Sequence, residues 1–420
     1  MPSQKDTKFD AIVVGAGPSG CCTAMFLARK KRKVLLIDKA TFPRDKVCGD
    51  AVSGKSISVI RELGLLELLE KKEHGCVGGV KLVAPNSKEV VVPFPKAPGL
   101  DFAGYCLPRI QTDDILFQAV KKEKNICVLE GYQTTKLIKN ENNVIGVETK
   151  KCNGEEQDKI QQYYAEVIVG ADGVSSIVAR EVGLLGIPPE HLYMGVRGYW
   201  NGVKGLSNNI ELFFIDDVLP GYLWIFPMGG EKANVGLGIL ASDMKKRKKH
   251  PNSVLLDALR NSKMLNERFS SAKLEGNIGA WTIPLGSYKR ENTGDGWLLV
   301  GDAASLVDPF SGEGYGNAAT SGKIAAECID EAIAQNPNAQ NLTKTMLAKY
   351  SQEIDKLLRP EMETTYKLQR ATRMKFLLNI FISKAASKPE FRKIIIDMLA
   401  SNEEKKKVQD PLFYIKLLLP

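Results

Sequence analysis

Three glycines and an aspartate near the start of the chain have the spacing of a phosphate-binding turn. Gly15, Gly17 and Gly20 form a Gly-x-Gly-x-x-Gly string, and Asp38 follows the next apolar run. In such a string the first glycine permits a tight turn, the second lets the backbone approach a pyrophosphate, and the third allows a helix to pack closely on a strand. The acid is then placed to bind a ribose hydroxyl. These residues predict a site for the adenosine diphosphate part of a dinucleotide.

The segments around this string are the ones that such a site requires. Phe9–Val14 predicts a buried parallel strand, Cys21–Arg29 predicts a helix rich in small residues, and Lys33–Ile37 predicts a second strand. The positive end of the helix dipole would then face the turn. A glycine string alone is weak evidence, but the complete strand, turn, helix and strand make it specific.

Two further aspartates follow predicted strands. Ala165–Val169 leads into the Gly-Ala-Asp-Gly segment that contains Asp172, and Trp297–Val300 leads into Gly-Asp, with its acid at Asp302. By itself the first segment is more typical of an ordinary strand-to-helix turn capped by a serine. Asp302 is placed to bond a sugar-like polyol. The Gly-rich loop at 308–314 then leads to a helix N-terminus that can hold negative charge.

The order of these three motifs resembles that of the p-hydroxybenzoate hydroxylase-like FAD oxidoreductases, across residues 8–345. The resemblance implies that the first motif binds the ADP part of FAD and that Asp302 contacts the ribitol. It also implies that the Phe42–Gly49 stretch crosses beside the flavin, and that Arg109, at a helix start shortly before Asp113, reaches the FAD. The residues assigned to FAD are Gly15, Gly17, Ser19, Gly20, Asp38, Lys39, Arg44, Cys48, Gly49, Arg109, Asp172, Asp302, Gly312, Gly314 and Tyr315.

A long aromatic string narrows the resemblance. Tyr222-x-Trp224-x-Phe226-Pro227, then eight residues, then Gly-x-Gly, is similar to the signature of the geranylgeranyl reductase family, which also matches the Cys-Gly pair at 48–49. It implies an aromatic, water-poor tunnel suited to a polyprenyl chain, lined by Tyr222, Trp224, Phe226 and Phe310. The alternative is an amphipathic strand whose aromatic side chains only pack a core.

Cys48 has two interpretations. Beside the flavin its thiol could serve as a proton donor or a gate, whereas most unpaired cysteines are small buried packing residues. The eight cysteines contain no Cys-x-x-Cys pair, so we expect neither a metal site nor a disulfide framework.

The predicted fold class is α/β: a split Rossmann-like FAD-binding domain, an inserted antiparallel β-sheet substrate domain and a helical C-terminal region. Residues 128–130, 134–139 and 144–149 predict the strands of a β-meander, and residues 190–290 an antiparallel, aromatic-rich sheet. The predicted boundaries are 1–75, 108–190 and 291–345 for the FAD-binding domain, 76–107 and 191–290 for the substrate domain, and 346–420 for the C-terminal region.

The function that the resemblance implies is FAD-dependent reduction of carbon–carbon double bonds in isoprenoid or similar long apolar substrates. No second complete Gly-x-Gly-x-x-Gly unit is present, so the electron donor would be transiently bound NAD(P)H or a ferredoxin-like protein. A flavin-dependent monooxygenase or halogenase of the same superfamily is the main alternative. A protein that carries FAD structurally or ferries a lipid is another.

Composition and charge bear on partners and location. The net charge is +9, and runs such as Lys245–Lys249 fit solvated faces as well as an anionic partner; no nucleic-acid motif stands out. We expect a cytoplasmic protein, because no signal segment and no apolar run of about 20 residues occurs. Short apolar segments at 376–382, 394–399 and 412–419, flanked by basic residues, allow peripheral membrane contact, although helices packed on the domain would look the same.

Overall fold

The computed structural model describes residues 8–154, 159–184, 186–247 and 249–400 of the 420-residue chain. The strands are β1 (Lys8–Val14), β2 (Val34–Asp38), β3 (Ala51–Ser53), β4 (Gly75–Val77), β5 (Gly79–Val83), β6 (Glu89–Pro93), β7 (Gly104–Cys106), β8 (Ile126–Glu130), β9 (Tyr132–Asn140), β10 (Asn143–Lys151), β11 (Gln161–Gly170), β12 (Leu192–Asn201), β13 (Asn209–Phe213), β14 (Tyr222–Pro227), β15 (Ala233–Leu240), β16 (Lys273–Pro284), β17 (Thr293–Gly294) and β18 (Trp297–Leu299).

The helices lie between and after these strands. They are α1 (Pro18–Arg29), α2 (Lys55–Glu62), α3 (Leu66–Glu70), α4 (Arg109–Val120), α5 (Ile177–Glu181), α6 (Ala241–Arg247), α7 (Pro251–Asn261), α8 (Lys263–Phe269), α9 (Tyr315–Gln335), α10 (Lys344–Leu357), α11 (Arg359–Ala371), α12 (Lys375–Ser387) and α13 (Pro389–Ala400), with 3-10 turns at Pro189–His191 and Gly301–Ala304.

A parallel sheet forms the first layer, with its strands in the order β18, β11, β1, β2 and β8. The runs predicted as buried strands have almost no exposed surface, as expected when helices cover both faces of a parallel sheet. The glycine turn follows β1, Asp38 ends β2, and Asp302 follows β18. Because carboxyl ends of parallel strands share one edge, the three motifs meet there, where β1 lies between β11 and β2.

One part of the strand prediction was wrong. The run at 128–130 belongs to β8, which pairs in parallel with β2 at the edge of the main sheet. The antiparallel meander consists of β9, β10 and β11 instead. A short run of apolar residues is equally compatible with both pairings, so the partner strand decides.

The second layer is a mainly antiparallel sheet in the order β16, β12, β15, β14, β13, β5 and β6. β5 pairs in parallel with β13, so a hairpin from early in the chain completes a sheet built from residues 192–284. Helices α6, α7 and α8 pack their apolar side chains on this sheet. The sequence prediction missed these helices, because it assigned the whole 190–290 segment to an antiparallel, aromatic-rich sheet.

The segment at 76–107 is shared between two sheets. β5 and β6 join the large antiparallel sheet, whereas β4 and β7 form a small separate sheet with β3. In the chain, β3 directly follows the Cys48-Gly49 loop and β7 directly precedes α4. The domain boundaries given above stay a prediction.

The C-terminal helices pack against the rest of the protein. α10 contacts α9, while α12 and α13 contact β6 and bury Ile382 and Ala385 beside the antiparallel sheet. No helix within the described residues has the length and apolar character needed to cross a membrane. Of the apolar segments noted above, 376–382 lies in α12 and 394–399 in α13, and 412–419 lies outside the described residues.

Candidate active site

The glycine turn is closed on one side and open on the other. A Cβ on Gly20 would lie 1.8 Å from the Gly15 carbonyl oxygen, and one on Gly15, at φ +102°, would lie 2.4 Å from the Ala171 oxygen. A Cβ on Gly17 would meet only a guanidinium nitrogen of Arg44, at 3.9 Å. The turn therefore packs tightly against its own fold while the backbone at Gly17 stays approachable, as pyrophosphate binding requires.

Asp38 lies against this turn. Its carboxylate accepts hydrogen bonds from the backbone N–H groups of Ala16, at 2.6 Å, and Ala40, at 2.8 Å. Lys39 is exposed beside it. Ser19 is buried in α1, and its hydroxyl is the atom that a Cβ on Gly301 would meet, at 2.9 Å. The first and third motifs are thus in direct contact.

Two arginines share one buried carboxylate. Arg109 binds both Asp113 oxygens at 2.7 Å, and Arg44 donates to one of them at 2.7 Å. Burial alone would raise the pKa of Asp113, but the Arg109 guanidinium outweighs it and holds the pKa below its usual value. Arg109 also lies over the Tyr315 ring, 5.2 Å from its centroid. The residues expected near the flavin from α4 and α9 therefore touch.

The loop before Cys48 is held by ion pairs to two other elements. Asp45 accepts from Arg197 of β12 at 2.7 Å, and Lys46 donates to Asp302 at 3.1 Å. The Lys46 ammonium also lies 5.6 Å from the centre of the Trp281 ring. The loop is thereby tied to the antiparallel sheet and to the aspartate expected to bind ribitol.

Asp172 has a structural set of contacts. It accepts from the Ile177 N–H at 2.6 Å at the start of α5, and Ser176 caps the same helix by accepting from the Ala179 N–H at 3.0 Å. Burial raises the pKa of Asp172, and its second carboxylate oxygen is buried without a hydrogen-bond partner. Its backbone supports the Gly15 turn, where the Asp172 Cα would lie 2.9 Å from an added Cβ.

A single cleft connects the flavin motifs to the aromatic strand. Its volume is about 970 Å³ including the open mouth. The predicted residues that line it are Cys48, Gly49, Tyr222, Trp224, Phe226, Arg109, Asp302, Gly312, Gly314 and Tyr315. Pro18, inside the glycine turn, lines it as well, so the cleft extends to the first motif. Gly15, Gly17, Ser19, Gly20, Asp38, Lys39, Arg44 and Asp172 are outside this lining.

The aromatic strand forms one wall. Tyr222, Trp224 and Phe226 alternate along β14 and all face the cleft, and Tyr222 donates to the Ser311 carbonyl of the Gly-rich loop. Phe310 is not one of the described residues that line the cleft. It stacks on Phe214, with ring centroids 6.4 Å apart, and supports the wall from behind.

Cys48 and Gly49 form the facing wall. A Cβ on Gly49 would lie 2.8 Å from the Phe226 ring, so the two walls are in contact there. Burial raises the pKa of the Cys48 thiol above its usual value, although the Arg109 guanidinium lowers it. A protonated thiol can give up a proton but is a poor nucleophile.

Sequence reasoning missed a buried polar network behind this wall. Asp50, 1% exposed, accepts from the Tyr199 hydroxyl at 2.6 Å and the Asn234 amide at 2.8 Å. Burial raises the pKa of Asp50 to about 6 even though these donors lower it. Asn234 falls within the eight-residue spacer of the aromatic string. Its polar side chain between apolar neighbours was the one available signal.

The residues present fit FAD. The open Gly17 backbone suits a pyrophosphate, and the clustered Arg44 and Arg109 suit an anionic cofactor. The Tyr315 hydroxyl is buried in the cleft wall without a hydrogen-bond partner, as expected of a group that meets a ligand. No cluster of His, Cys, Asp or Glu side chains suited to a metal ion occurs in the described part of the chain.

Comparison with known proteins agrees with this geometry. A family model described as an FAD binding domain matches residues 8–323. Digeranylgeranylglycerophospholipid reductase 1 of Methanococcoides burtonii is 31% identical over 82% of this chain and 78% of its own length. Menaquinone reductase of Mycobacterium tuberculosis is 30% identical over 77% of each chain.

A solved structure shares the whole fold. The geranylgeranyl bacteriochlorophyll reductase-like protein from Thermoplasma acidophilum has a TM-score of 0.79 at 22% identity, with coverage of 95% of this chain and 98% of that one. Flavin-dependent halogenases have the same fold, and at such identities the likeness shows the fold alone. The predicted fold class is confirmed, and the chain is an FAD-binding oxidoreductase that belongs to the geranylgeranyl reductase family of the p-hydroxybenzoate hydroxylase-like superfamily.

Proposed function

We propose that this protein reduces carbon–carbon double bonds in the isoprenoid chain of a lipid. The observation that carries the proposal is the cleft itself. It runs from the residues that fit FAD to a wall of Tyr222, Trp224 and Phe226, with Trp281 also in its lining. An apolar chain entering there would lie beside the flavin between aromatic side chains.

The relatives favour the same substrate class. One is named for digeranylgeranylglycerophospholipid and another for menaquinone, and both compounds are lipids with isoprenoid chains. Their head groups differ, so the shared chemistry lies in the chain. We therefore propose the chain, rather than a particular head group, as the part that this cleft binds.

The reaction needs a hydride, a positioned substrate and a proton. When bound, reduced FAD supplies a hydride for one carbon of the double bond. Trp224 and Phe226 hold the chain and keep water out, and an unactivated alkene depends mainly on such positioning. The other carbon needs a proton, and the protonated Cys48 thiol in the cleft lining is the candidate donor.

Two partners complete the proposal. The electron donor is transiently bound NAD(P)H or a ferredoxin-like protein. The lipid is reached by peripheral contact with a membrane at the corner between α11 and α12. There Met374 and Phe376 are 50% and 60% exposed, beside the exposed Arg370.

The test is the fate of electrons from the reduced enzyme. Protein with bound FAD is reduced by dithionite without oxygen and mixed with an unsaturated geranylgeranyl ether lipid or with menaquinone. We expect lipid products that gain two hydrogen atoms per double bond, detected by mass spectrometry, and lower yields with Cys48→Ala at unchanged FAD content. Repeating the reaction with NADPH or reduced ferredoxin in place of dithionite identifies the donor.

The alternatives predict different products. Hydroxylated or halogenated lipid, formed only when oxygen is admitted, would instead identify a monooxygenase or halogenase. Lipid that binds but returns unchanged under every condition would identify a carrier. Either result would overturn the reductase proposal.

A further inference from the structure

Asn234 joins the two walls of the cleft from behind. It is fully buried in β15, and its Oδ1 accepts from the Trp224 indole N–H at 2.9 Å. Its Nδ2 donates to the Cys48 carbonyl oxygen and to Asp50, each at 2.8 Å. An indole can only donate and a carboxylate can only accept, so these partners determine the amide orientation.

Asp50 holds the second half of this arrangement. Its backbone has φ +68°, in the left-handed region that a non-glycine residue adopts only at a cost. Its carboxylate accepts from Asn234, from the Tyr199 hydroxyl and, at 3.3 Å, from the Arg109 N–H. Together with the ion pair between Asp45 and Arg197, these bonds fasten the loop that carries Cys48 and Gly49 at both ends.

These bonds determine the separation of the cleft walls. Trp224 stands on β14, and Cys48 and Gly49 stand on the facing loop. The Trp224 ring is packed tightly against β15, because a Cβ on Gly236 would lie 2.4 Å from it. A change at Asn234 would move the ring and the loop independently, although Asn234 does not itself line the cleft.

We propose that Asn234 is a positioning residue for double-bond reduction, acting through the Trp224 indole and the Cys48 carbonyl. This inference rests on the proposed function. An error of about 1 Å in substrate placement can cost on the order of 100-fold in rate. Loss of this tie should therefore lower kcat strongly while FAD stays bound.

The test uses Asn234→Leu in the FAD-bound protein, with Asn292→Leu as its matched control. Asn292 is also buried and accepts a hydrogen bond from Ser351, at 2.6 Å, but it does not line or support the cleft. We expect Asn234→Leu to lower kcat at least about tenfold at unchanged FAD content, with a smaller change in KM. Asn292→Leu should lower stability and leave kcat unchanged.

A second readout is independent of turnover. The chain has four tryptophans, so the indole N–H signals in a nitrogen–proton NMR spectrum can be assigned with single Trp→Phe variants. In the unaltered protein we expect the Trp224 signal to exchange slowly with solvent, unlike that of Trp281, which is 41% exposed. Asn234→Leu should shift the Trp224 signal and speed its exchange, and Asn292→Leu should not.

The outcomes separate the two proposals. Unaltered protein that saturates no double bond overturns the proposed function, and the role of Asn234 falls with it. An active protein in which Asn234→Leu keeps its kcat and its Trp224 signal overturns only the positioning role. If Asn234→Leu does not fold, the unaltered protein still tests the proposal. Fast solvent exchange of its Trp224 indole N–H would contradict the hydrogen bond from Trp224 to Asn234.

Discussion

At the scale of single residues, buried charge has the clearest consequences. Asp50 is buried in the loop behind the cleft, and burial raises its pKa from 3.8 to about 6. The folded protein thus binds this proton more tightly than the unfolded chain does. The stabilising effect of the proton is complete below the unfolded value and disappears as pH rises through about 6.

Asp50→Asn should remove this dependence on pH. Between pH 4 and pH 7 the free energy of unfolding of the unaltered protein should fall, relative to the variant, by about 2 kcal/mol, which is most of the effect of a shift of about two pKa units. Urea unfolding at several pH values, followed by circular dichroism, measures the difference. If the free energy of unfolding of Asp50→Asn and that of the unaltered protein change in parallel with pH, Asp50 is not the source of the pH dependence.

Residues whose roles depend on neighbours in sequence could be predicted, and those that depend on distant partners could not. The turn at Gly15, Gly17 and Gly20 is local, and the sequence interpretation of its geometry agrees with the structure. Asn234 meets Cys48 and Asp50 across 186 and 184 positions. No periodicity or spacing indicates such a contact, because it exists only after two sheets have packed together.

At the scale of elements, the corner between α11 and α12 combines exposed apolar side chains with basic ones. Two of the basic residues that flank the apolar segment at 376–382 form ion pairs: Arg373 pairs with Asp243 at 2.7 Å and Lys375 with Asp216 at 2.6 Å. They hold the corner to α6 and to the loop that follows β13. Met374 and Phe376 therefore carry the proposed membrane contact, and Arg370 adds charge.

Phe376→Ser should weaken binding to anionic vesicles. Sedimentation with phosphatidylglycerol-rich liposomes at low salt should pellet the unaltered protein and release it as salt rises, because charge attraction is screened. Phe376→Ser, alone or with Met374→Ser, should leave most protein in the supernatant. Ile160→Ser replaces a side chain of similar exposure, 59% against 60%, remote in sequence from the corner, and should bind normally. Equal binding by all variants, or none by the unaltered protein, would contradict the docking idea.

The same scale shows why some elements escaped prediction. Helices α6, α7 and α8 are short and contain no long apolar run, yet Leu255, Leu259 and Leu265 are buried on the sheet. β8 is a short apolar run, and its sequence fits a parallel pairing as well as an antiparallel one. In both cases the decisive information is the surface that the element covers, which a single chain segment does not contain.

At the scale of the whole molecule, FAD should act as a cross-link between the two main sheets. The cleft lining takes residues from the glycine turn, from α9, from β14 and from β16. A ligand that binds only the folded state stabilises it by about 2.7 kcal/mol at 100 times its Kd. We therefore expect FAD, added at 100 times its Kd to protein stripped of cofactor, to raise the free energy of unfolding by about 2.7 kcal/mol. Denaturant unfolding measures the difference.

Gly17→Val is the matched variant. A branched side chain at Gly17 meets almost nothing in the protein, so the chain should fold and remain colourless, and added FAD should not stabilise it. Gly20→Val, by contrast, should damage folding itself, because its Cβ would overlap the Gly15 carbonyl. Folded, fully yellow Gly17→Val protein would contradict the assignment of the pyrophosphate site.

The pairing of β5 with β13 also has a consequence for biosynthesis. β5 leaves the ribosome more than a hundred residues before β13, its parallel partner, has been translated. Until then the β5–β6 hairpin is one apolar hairpin with an unpaired edge, and such edges invite pairing between nascent chains. Slower translation of residues 94–208 should therefore lengthen this exposure and reduce the yield of native enzyme, and a chaperone that covers exposed strands should restore it.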